Sequence, residues 1–401
     1  MNADKRTFFA VLFLFLFFSS DAVAQKSKAQ LQKEKQKNLE KIRETEKILD
    51  ETSQQKKNSI GELSALNQRI RNQEDLISSI KSEIKFLEAD IEENNGIIEA
   101  LASDLGKLKE EYAAMAFSAQ KASGKSSKLL FLFSARSFDQ LLMRLKYMEQ
   151  YGNARQEQAE AIGRTRRILE SQVAQTEKIK GEKNSLLNDE IKESNQLTYL
   201  KKKQKAVVRT LEKDEKRLKT ELDETRKAVA QLDKKINEII KEEMERAARE
   251  AREDNTTKVA EATEALSSSF EDNKSKFAWP ASGFVSQKFG RQPHPVLKGI
   301  ELQNDGINIQ TQQNESVKSI FNGEVRRVAF IPTLGSTVII NHGEYFTVYS
   351  GLREVSVKMG QKVITNQELG HVLVNKDGIS ELRFQIRKNT VPLDPQAWLK
   401  D

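Results

Sequence analysis

Metal-dependent hydrolysis is the first chemistry to consider in this 401-residue chain, because all three of its histidines lie in the last third. A hydrolytic zinc ion needs three protein ligands and an open position for the activated water. The chain has no cysteine, and the histidines are His294 in "PHP", His342 in "NHG" and His371 in "GHV". A single histidine at a turn, as in "GHV", is more often an ordinary surface residue than a ligand.

Oxygen donors lie in two short segments, "NDGINI" at 304–309 and "ELRF" at 381–384. Asp305, Asn308 and Glu381 would suit at most a weakly held hard cation, and the nearby guanidinium of an arginine disfavours even that. The residues therefore predict no catalytic metal and no cofactor.

The elements that must position these segments are short strands. From Phe277 onward, alternating valine and isoleucine appear between glycine and asparagine turns, as in "SVKSIFNGEVRRVAF" and "STVIINHGEYFTVYSGL". This alternation is typical of half-buried strands, so residues 277–401 are predicted to form one compact, mainly β domain.

Four segments of this domain resemble lysostaphin-like (LytM-type) peptidoglycan metallopeptidases, and they occur in the family's order. The segments are "FGRQPHPVLKGIELQNDGINI", "VIINHGEYFTVYSGL", "VKMGQKVITNQELGHV" and "ELRFQIRKNTVPLDPQAWL". The resemblance covers essentially all of 277–401 and implies the family's fold.

The family's zinc-site residues are replaced in this sequence. The resemblance places the His and Asp of its H-x-G-x-D motif on Asn304 and Asn308. The third ligand falls on Arg383, the histidine two residues earlier on Glu381, and the remaining active-site histidine on Gly351. An amide replaces a carboxylate poorly and a guanidinium cannot bind zinc, so the domain is predicted to be a degenerate, non-catalytic peptidase.

A second feature precedes this domain: long heptad repeats. With position a at Leu63, the a and d positions are apolar through seven heptads, except for Gln73 and Asn94. A second arm, from Val208 to Ile239, has the same spacing, and such seams with flanking charges form coiled coils. We predict an antiparallel coiled-coil hairpin over residues 25–250. A parallel dimer is the alternative.

The heptads stop at 116–148, where a glycine and several serines mark a bend before the uncharged run "LLFLF". Apolar residues then recur on one helical face. A large apolar face at the end of a thin rod has little core to cover it and is typical of a binding site. The alternative is two short helices that cover each other.

The first residues predict export. Lys5 and Arg6 precede an apolar run over 8–18, followed by a small-residue cleavage pattern at 22–24. This is the layout of a signal peptide, assigned to residues 1–24, and the run is short for a membrane span. An uncleaved anchor is the alternative. We therefore expect a periplasmic protein.

The charges are interleaved along the chain, with 66 basic and 59 acidic residues. Nucleic-acid binding would require a segregated basic face. We therefore expect no nucleic-acid partner.

The order of signal peptide, coiled-coil hairpin and degenerate LytM domain resembles the EnvC family of murein hydrolase activators. The tip segment and the closing "DPQAWL" also resemble that family. The resemblance implies an activator of N-acetylmuramoyl-L-alanine amidases in cell division, with a tip that binds the periplasmic part of FtsX in the FtsEX complex. It also implies a helix, within the linker 251–276, that covers the groove at rest.

The resemblance implies three sets of site residues. The amidase-binding groove comprises Asn304, Asn308, Tyr349, Glu381, Arg383 and Arg387. The restraining helix comprises Val259, Ala262, Leu266 and Phe270. The FtsX-binding tip comprises Leu130, Phe131, Phe133, Phe138, Leu142 and Leu145. Two other functions stay open: a periplasmic scaffold that binds peptidoglycan, and an active zinc endopeptidase.

Overall fold

A computed structural model describes residues 28–55, 57, 59–122, 132, 134–253, 257–332, 334–375 and 377–400. The predicted signal peptide, residues 1–24, lies outside the described residues. The chain divides into two compact units, one comprising the residues up to Lys35 with Ile77–Lys192, the other Gln36–Leu76 with Glu193–Asp401.

The described residues before the β domain lie mainly in helices. They are α1 (Lys28–Gln55), α2 (Ile60–Ala122), α3 (Phe138–Lys213), α4 (Glu215–Glu253) and α5 (Thr257–Asp272). No helix among the described residues combines the length and the apolarity that a membrane crossing requires.

Helices α2 and α3 run in opposite directions within the first unit. Lys81 pairs with Glu190, and Glu88 pairs with the earlier residue Lys183. Farther along, the Tyr151 hydroxyl donates to the Met115 carbonyl at 2.9 Å. As residue numbers rise along α2, the numbers of the partner residues in α3 fall. This is the pattern of an antiparallel helix pair within one chain. The predicted fold class, a helical hairpin followed by a mainly β domain, is confirmed.

The β domain is an antiparallel sheet with short additions. Its strands are β1 (Phe284–Gln287), β2 (Gly290–Pro293), β3 (Glu301–Asn304), β4 (Ile307–Gln310), β5 (Ser316–Lys318), β6 (Gly323–Ile331), β7 (Gly335–His342), β8 (Tyr345–Val355), β9 (Lys362–Val363), β10 (Glu368–Val372), β11 (Glu381–Lys388) and β12 (Val391–Leu393). The main order is β1-β4-β11-β8-β7-β6-β9, and β2 pairs with β3 separately. A short 3-10 helix, Pro395–Ala397, follows.

The two-residue period of β11 decides which side chains face the core. Leu382, Phe384 and Ile386 are fully buried in the main apolar cluster. Glu381 and Arg383 alternate with them and therefore lie on the opposite face of the sheet. This face carries the predicted site.

Helix α4 packs its apolar face against one side of the sheet. Leu232, Ile236 and Ile240 belong to one cluster with Phe346 and Val348 of β8. Both Ile236 and Ile240 are fully buried. These residues, four positions apart, form the stripe that an amphipathic helix buries.

Helix α5 contributes to the main core through one aromatic side chain. The Phe270 ring is fully buried and lies 4.7 Å from Phe277, 4.9 Å from Tyr345 and 5.4 Å from Trp398, centroid to centroid. The Ser267 hydroxyl accepts a bond from the Glu344 backbone N–H at 2.9 Å. The second half of α5 is therefore part of the β domain.

Candidate functional site

The floor of the candidate site is formed by neighbouring strands β4 and β11. Asn308 lies opposite Arg383 in this pair, and Glu381 lies opposite Gln310. Gly306 precedes β4, and a Cβ atom there would lie 2.2 Å from the carbonyl oxygen of Phe384. Only glycine allows this close approach, so the "NDGINI" segment is held directly against β11.

The amides of the site form a closed hydrogen-bond network. Asn304 Nδ2 donates to Asn308 Oδ1 at 3.2 Å, and the Gly306 backbone N–H donates to Asn304 Oδ1 at 3.2 Å. Asn308 Nδ2 then donates to Glu381 Oε2 at 3.0 Å and to Gln287 Oε1 at 3.1 Å. Both hydrogens of the Asn308 amide are thus used within the protein.

Strand β1 closes the network on its other side. The Ser286 hydroxyl donates to the Glu381 carboxylate, and its oxygen also lies 3.2 Å from the Asn308 carbonyl. Asn304 and Asn308 are both buried. Burying a polar group costs little free energy only when the group is hydrogen-bonded. This satisfied network is therefore a fixed structural element.

These residues do not fit a zinc ion. Two of the aligned ligand positions are amides that bond each other, and the third is the guanidinium of Arg383. At Gly351, where φ is +93°, a Cβ atom would lie 2.5 Å from the Glu381 carbonyl oxygen. A histidine therefore has no room there without a backbone shift. Among the described residues, no group of three or more histidine, aspartate or glutamate side chains is arranged to hold a metal.

Helix α4 lies over this face and bonds to it. Arg387 is 1% exposed; its Nη1 donates to Asn237 Oδ1 at 2.8 Å, and its Nη2 lies 3.4 Å from Asp233 Oδ1 and 3.5 Å from Asp305 Oδ2. Gln385 Nε2 also donates to Asp233 Oδ1, at 3.2 Å. Asp233 and Asn237 are one helical turn apart, so one face of α4 reaches two side chains of β11.

Burial shifts the pKa values of both charged groups at this contact. Burial raises the pKa of the Asp233 carboxyl, and the hydrogen bond from Gln385 and the charge of Arg387 oppose that rise. Burial also lowers the pKa of Arg387, opposed by Asp233 and Asp305. Each of these charges depends on its partner, because removing one member of a buried ion pair costs on the order of 3–5 kcal/mol of stability.

A cavity of about 450 Å³ remains between α4 and the floor. Thr225 and Asp233 line it from the helix, and Gln287, Glu381 and Arg383 line it from the sheet. Beside it, Arg226 Nη2 donates to the Glu301 carbonyl at 2.7 Å. The groove is therefore covered by α4 and only partly filled.

The structure brings together four of the six predicted groove residues, Asn304, Asn308, Glu381 and Arg383. Arg387 lies on the same face but is buried beneath α4. Gln385 was not among the predicted groove residues, although the two-residue period of β11 places it on this face between Arg383 and Arg387.

Tyr349 does not line the groove. It lies opposite Phe384, on the core face, and is fully buried. Its hydroxyl accepts a bond from the Ile320 backbone N–H at 3.1 Å, and burial raises its pKa. The physical reason is the register of β8 against β11, which sequence spacing does not reveal.

The predicted restraining segment lies in α5. Phe270 occupies the aromatic core and Leu266 is half-buried, whereas the side chains of Val259 and Ala262 lie outside the described residues. The helix found over the groove is α4, whose Asp233 and Asn237 sequence analysis treated as part of the coiled-coil arm.

The predicted tip is described in part. Phe138, Leu142 and Leu145 are 71%, 49% and 45% exposed on α3. Leu130, Phe131 and Phe133 lie outside the described residues.

Comparison with known families matches the β domain to a peptidase family. Residues 302–395 match the model of peptidase family M23. The chain therefore carries an M23 domain at its C-terminal end, after a helical region consistent with a coiled coil.

Three characterised relatives share this similarity. The chain is 28% identical over 123 residues to the murein hydrolase activator EnvC of Escherichia coli (strain K12), covering 30% of this chain and 28% of that protein. It is 30% identical over 125 residues to the lipoprotein NlpD/LppB homolog of Pseudomonas aeruginosa, covering 31% and 39%. It is 35% identical over 107 residues to stage II sporulation protein Q of Bacillus subtilis (strain 168), covering 25% and 36%.

The chain spans between 28% and 39% of the length of these relatives. The predicted resemblance to a family that includes a murein hydrolase activator is therefore confirmed for the C-terminal domain.

Proposed function

We propose that this protein is an exported, non-catalytic activator of peptidoglycan amidases, which cut between N-acetylmuramic acid and L-alanine. The M23 domain supplies a recognition groove, and the chemistry takes place in the amidase. In the state described here, the groove is closed by α4. The periplasm is the proposed location, because the amidase substrate is there.

One observation carries this proposal: the positions of a hydrolytic zinc site hold a self-bonded amide network, and an amphipathic helix lies on it. A catalytic groove would need free ligands and access for substrate. Here Asn304 donates to Asn308, Asn308 donates to Glu381, and Asp233 is bonded to Gln385 and Arg387. This arrangement supports a groove that recognises a helix.

The contacts of α4 indicate what a partner must offer. Phe346 and Val348 of the sheet pack against the apolar stripe of α4. Gln385 and Arg387 donate hydrogen bonds to Asp233 and Asn237, which are one turn apart on that helix. A partner helix with an apolar stripe and an adjacent carboxylate would satisfy the same groups. Helix-in-groove recognition of this kind uses apolar anchors at i, i+3 and i+4.

Release of α4 is proposed to come from the other end of the hairpin. Helix α3 ends at Lys213 and α4 begins at Glu215, with the Asp214 backbone N–H bonded to the Leu211 carbonyl at 3.1 Å. This single-residue interruption is a suitable hinge between a long helix and its continuation. We propose that binding of FtsX at Phe138, Leu142 and Leu145 moves α3 and thereby lifts α4.

The test is an amidase dye-release assay with labelled peptidoglycan. A fragment of residues 257–401, which keeps Phe270 in its core, is expected to stimulate an amidase strongly and to release no dye alone. Arg383→Glu in this fragment is expected to abolish stimulation, whereas Arg327→Glu, at an exposed arginine on β6, is expected to leave it intact.

Three results would contradict the proposal. Dye release by the fragment alone, together with one equivalent of bound zinc, would indicate an endopeptidase. Binding to isolated sacculi with no stimulation of any amidase would indicate a scaffold. Equal loss of stimulation in both arginine variants would remove the groove from the mechanism.

A further inference from the structure

A second helical contact with the M23 domain occurs where α1 ends and α2 begins. We name Glu51, Thr52 and Gly61 the foot. Gln310 Nε2, on β4, donates to Thr52 Oγ1 at 3.2 Å and to the Gly61 carbonyl at 3.2 Å. The backbone N–H of Gln313 donates to Glu51 Oε2 at 2.7 Å. All these residues belong to the second compact unit.

The foot approaches the domain at van der Waals distance. A Cβ atom on Gly61 would lie 2.4 Å from Ile379 Cγ1 and 2.8 Å from its Cδ1. The backbone of α2 therefore rests directly on the Ile379 side chain, and a larger residue at position 61 would force that side chain to move. Ile379 lines the same cavity as Glu381 and Arg383. The foot thus touches the edge of the groove that α4 covers.

An apolar cluster supports the foot. Ile48 of α1 and Leu63 of α2 belong to one cluster with Phe284 and Leu297 of the domain. Leu218, in the first turn of α4, is part of the same cluster. The foot and the covering helix therefore share a small core.

Two features of the contact reduce its stability. The Gln310 side chain is 1% exposed, yet its Oε1 atom finds no donor among the described residues. Such an orphaned acceptor costs about 1–3 kcal/mol. Nearby, the Glu44 carboxyl of α1 is half-buried and close to the charge of Glu315, and both effects raise its pKa. These penalties weaken the docked state relative to an undocked one.

We propose that the foot is a second restraint on the recognition groove, and that a partner gains full access only when both α4 and the foot have left the domain. The proposal rests on the proposed function. Because α2 continues from Gly61 to Ala122 as one helix, a movement of that helix would also move the foot.

The absence of cysteine permits a direct test with an engineered disulfide. The variant Gly61→Cys with Ile379→Cys ties the foot to the domain. The 2.4 Å contact with Cγ1 plus one C–C bond places the two Cβ atoms within about 4 Å, inside the range that a disulfide requires. The matched control is Phe330→Cys with Ser336→Cys, which ties β6 to β7 within the domain at two residues that lie directly opposite each other and outside the foot.

Both pairs are placed in a full-length chain in which Ile236→Ala loosens α4, and amidase dye release is measured before and after reduction. We expect the oxidised 61–379 pair to stimulate at least ten-fold less than its reduced form. The oxidised control pair should stimulate as well as its reduced form. Equal stimulation by both forms of the 61–379 pair would overturn the proposal, as would failure of that disulfide to form.

A second variant tests docking without an amidase. Gly61→Leu should collide with Ile379 and raise hydrogen exchange at the backbone amides of 308–310 and 381–382 by at least ten-fold. Gly96→Leu, at a helical glycine of α2 with open space around it, should leave that exchange unchanged. Unchanged exchange in Gly61→Leu would refute the foot contact itself. If exchange rises but the fragment of residues 257–401 stimulates no amidase, the proposed function fails and the contact stands.

Discussion

Truncation of Ile236 on α4 tests whether this helix holds the groove closed. The side chain is fully buried in the cluster that joins α4 to Phe346 and Val348. Replacing a buried isoleucine by alanine costs about 2–5 kcal/mol, through lost transfer energy and the cavity that remains. Most of this loss falls on the closed state, because Ile236 reaches solvent when α4 leaves the sheet.

A cost of about 3 kcal/mol changes the ratio of open to closed protein by roughly 150-fold, since each 1.4 kcal/mol is a factor of ten. We expect full-length Ile236→Ala to stimulate an amidase at concentrations at which the native chain does not. The gain should stop at the level of the fragment of residues 257–401, where no cover remains.

The measurement is dye release against activator concentration, with Ile168→Ala as the matched control. Ile168 lies on α3 and is 55% exposed, so its truncation should cost little. If the fragment stimulates but full-length Ile236→Ala behaves like the native chain, α4 is not the restraint. If the control variant gains equally, the effect comes from the helical arm in general.

Three further predictions concern the stability of the domain. Phe270→Ala should lower the free energy of unfolding by about 3–5 kcal/mol in urea titrations without releasing α4, whereas Phe330→Ala, at an exposed ring, should change it by less than about 0.5 kcal/mol. A large gain in amidase stimulation in Phe270→Ala would instead assign the restraint to α5. The buried His342 ring has its pKa lowered to about 4 by desolvation, so protonation favours the unfolded chain. Its contribution is complete above about pH 6.5 and is lost as the pH falls toward 4, up to about 3 kcal/mol in total. His342→Gln should therefore flatten the urea midpoint between pH 7 and pH 4.5, and an unchanged pH dependence would contradict this assignment. At Glu44, burial beside Glu315 raises the carboxyl pKa, so its ionisation above that pKa opposes docking of the foot. Glu44→Gln should raise the thermal midpoint at pH 7 and lower hydrogen exchange at 308–310, and a lower midpoint would show that the charge stabilises the foot.

The fold was largely predictable because its signals are periodic and local. The heptads of α2 and the alternation in β11 each depend on residues a few positions apart. The predicted replacement of the zinc ligands likewise depended only on residue type, at Asn304, Asn308 and Arg383. The hydrogen bonds that Asn304 and Asn308 form with each other and with Glu381 depend on tertiary structure and could not be predicted from residue type.

The features that could not be predicted from the sequence depend on long-range packing. Tyr349 was expected in the groove, but strand register turned it into the core. Two amphipathic helices precede the domain, and nothing local distinguishes α4, which covers the groove, from α5, whose Phe270 fills the core. Gly61 carried no sequence signal at all, because one glycine in a long helix is unremarkable until its neighbour Ile379 is known.

The closed amide network of the site also limits how this domain can change over evolutionary time. Asn308→Asp alone would set a second carboxylate about 3 Å from Glu381, where two like charges cannot both stay ionised. Asn304→His alone would remove the acceptor of the Gly306 N–H. Each of these single substitutions therefore disturbs the hydrogen-bond network before a complete set of zinc ligands is present. A domain with this network therefore gains a complete set of zinc ligands only through several simultaneous substitutions.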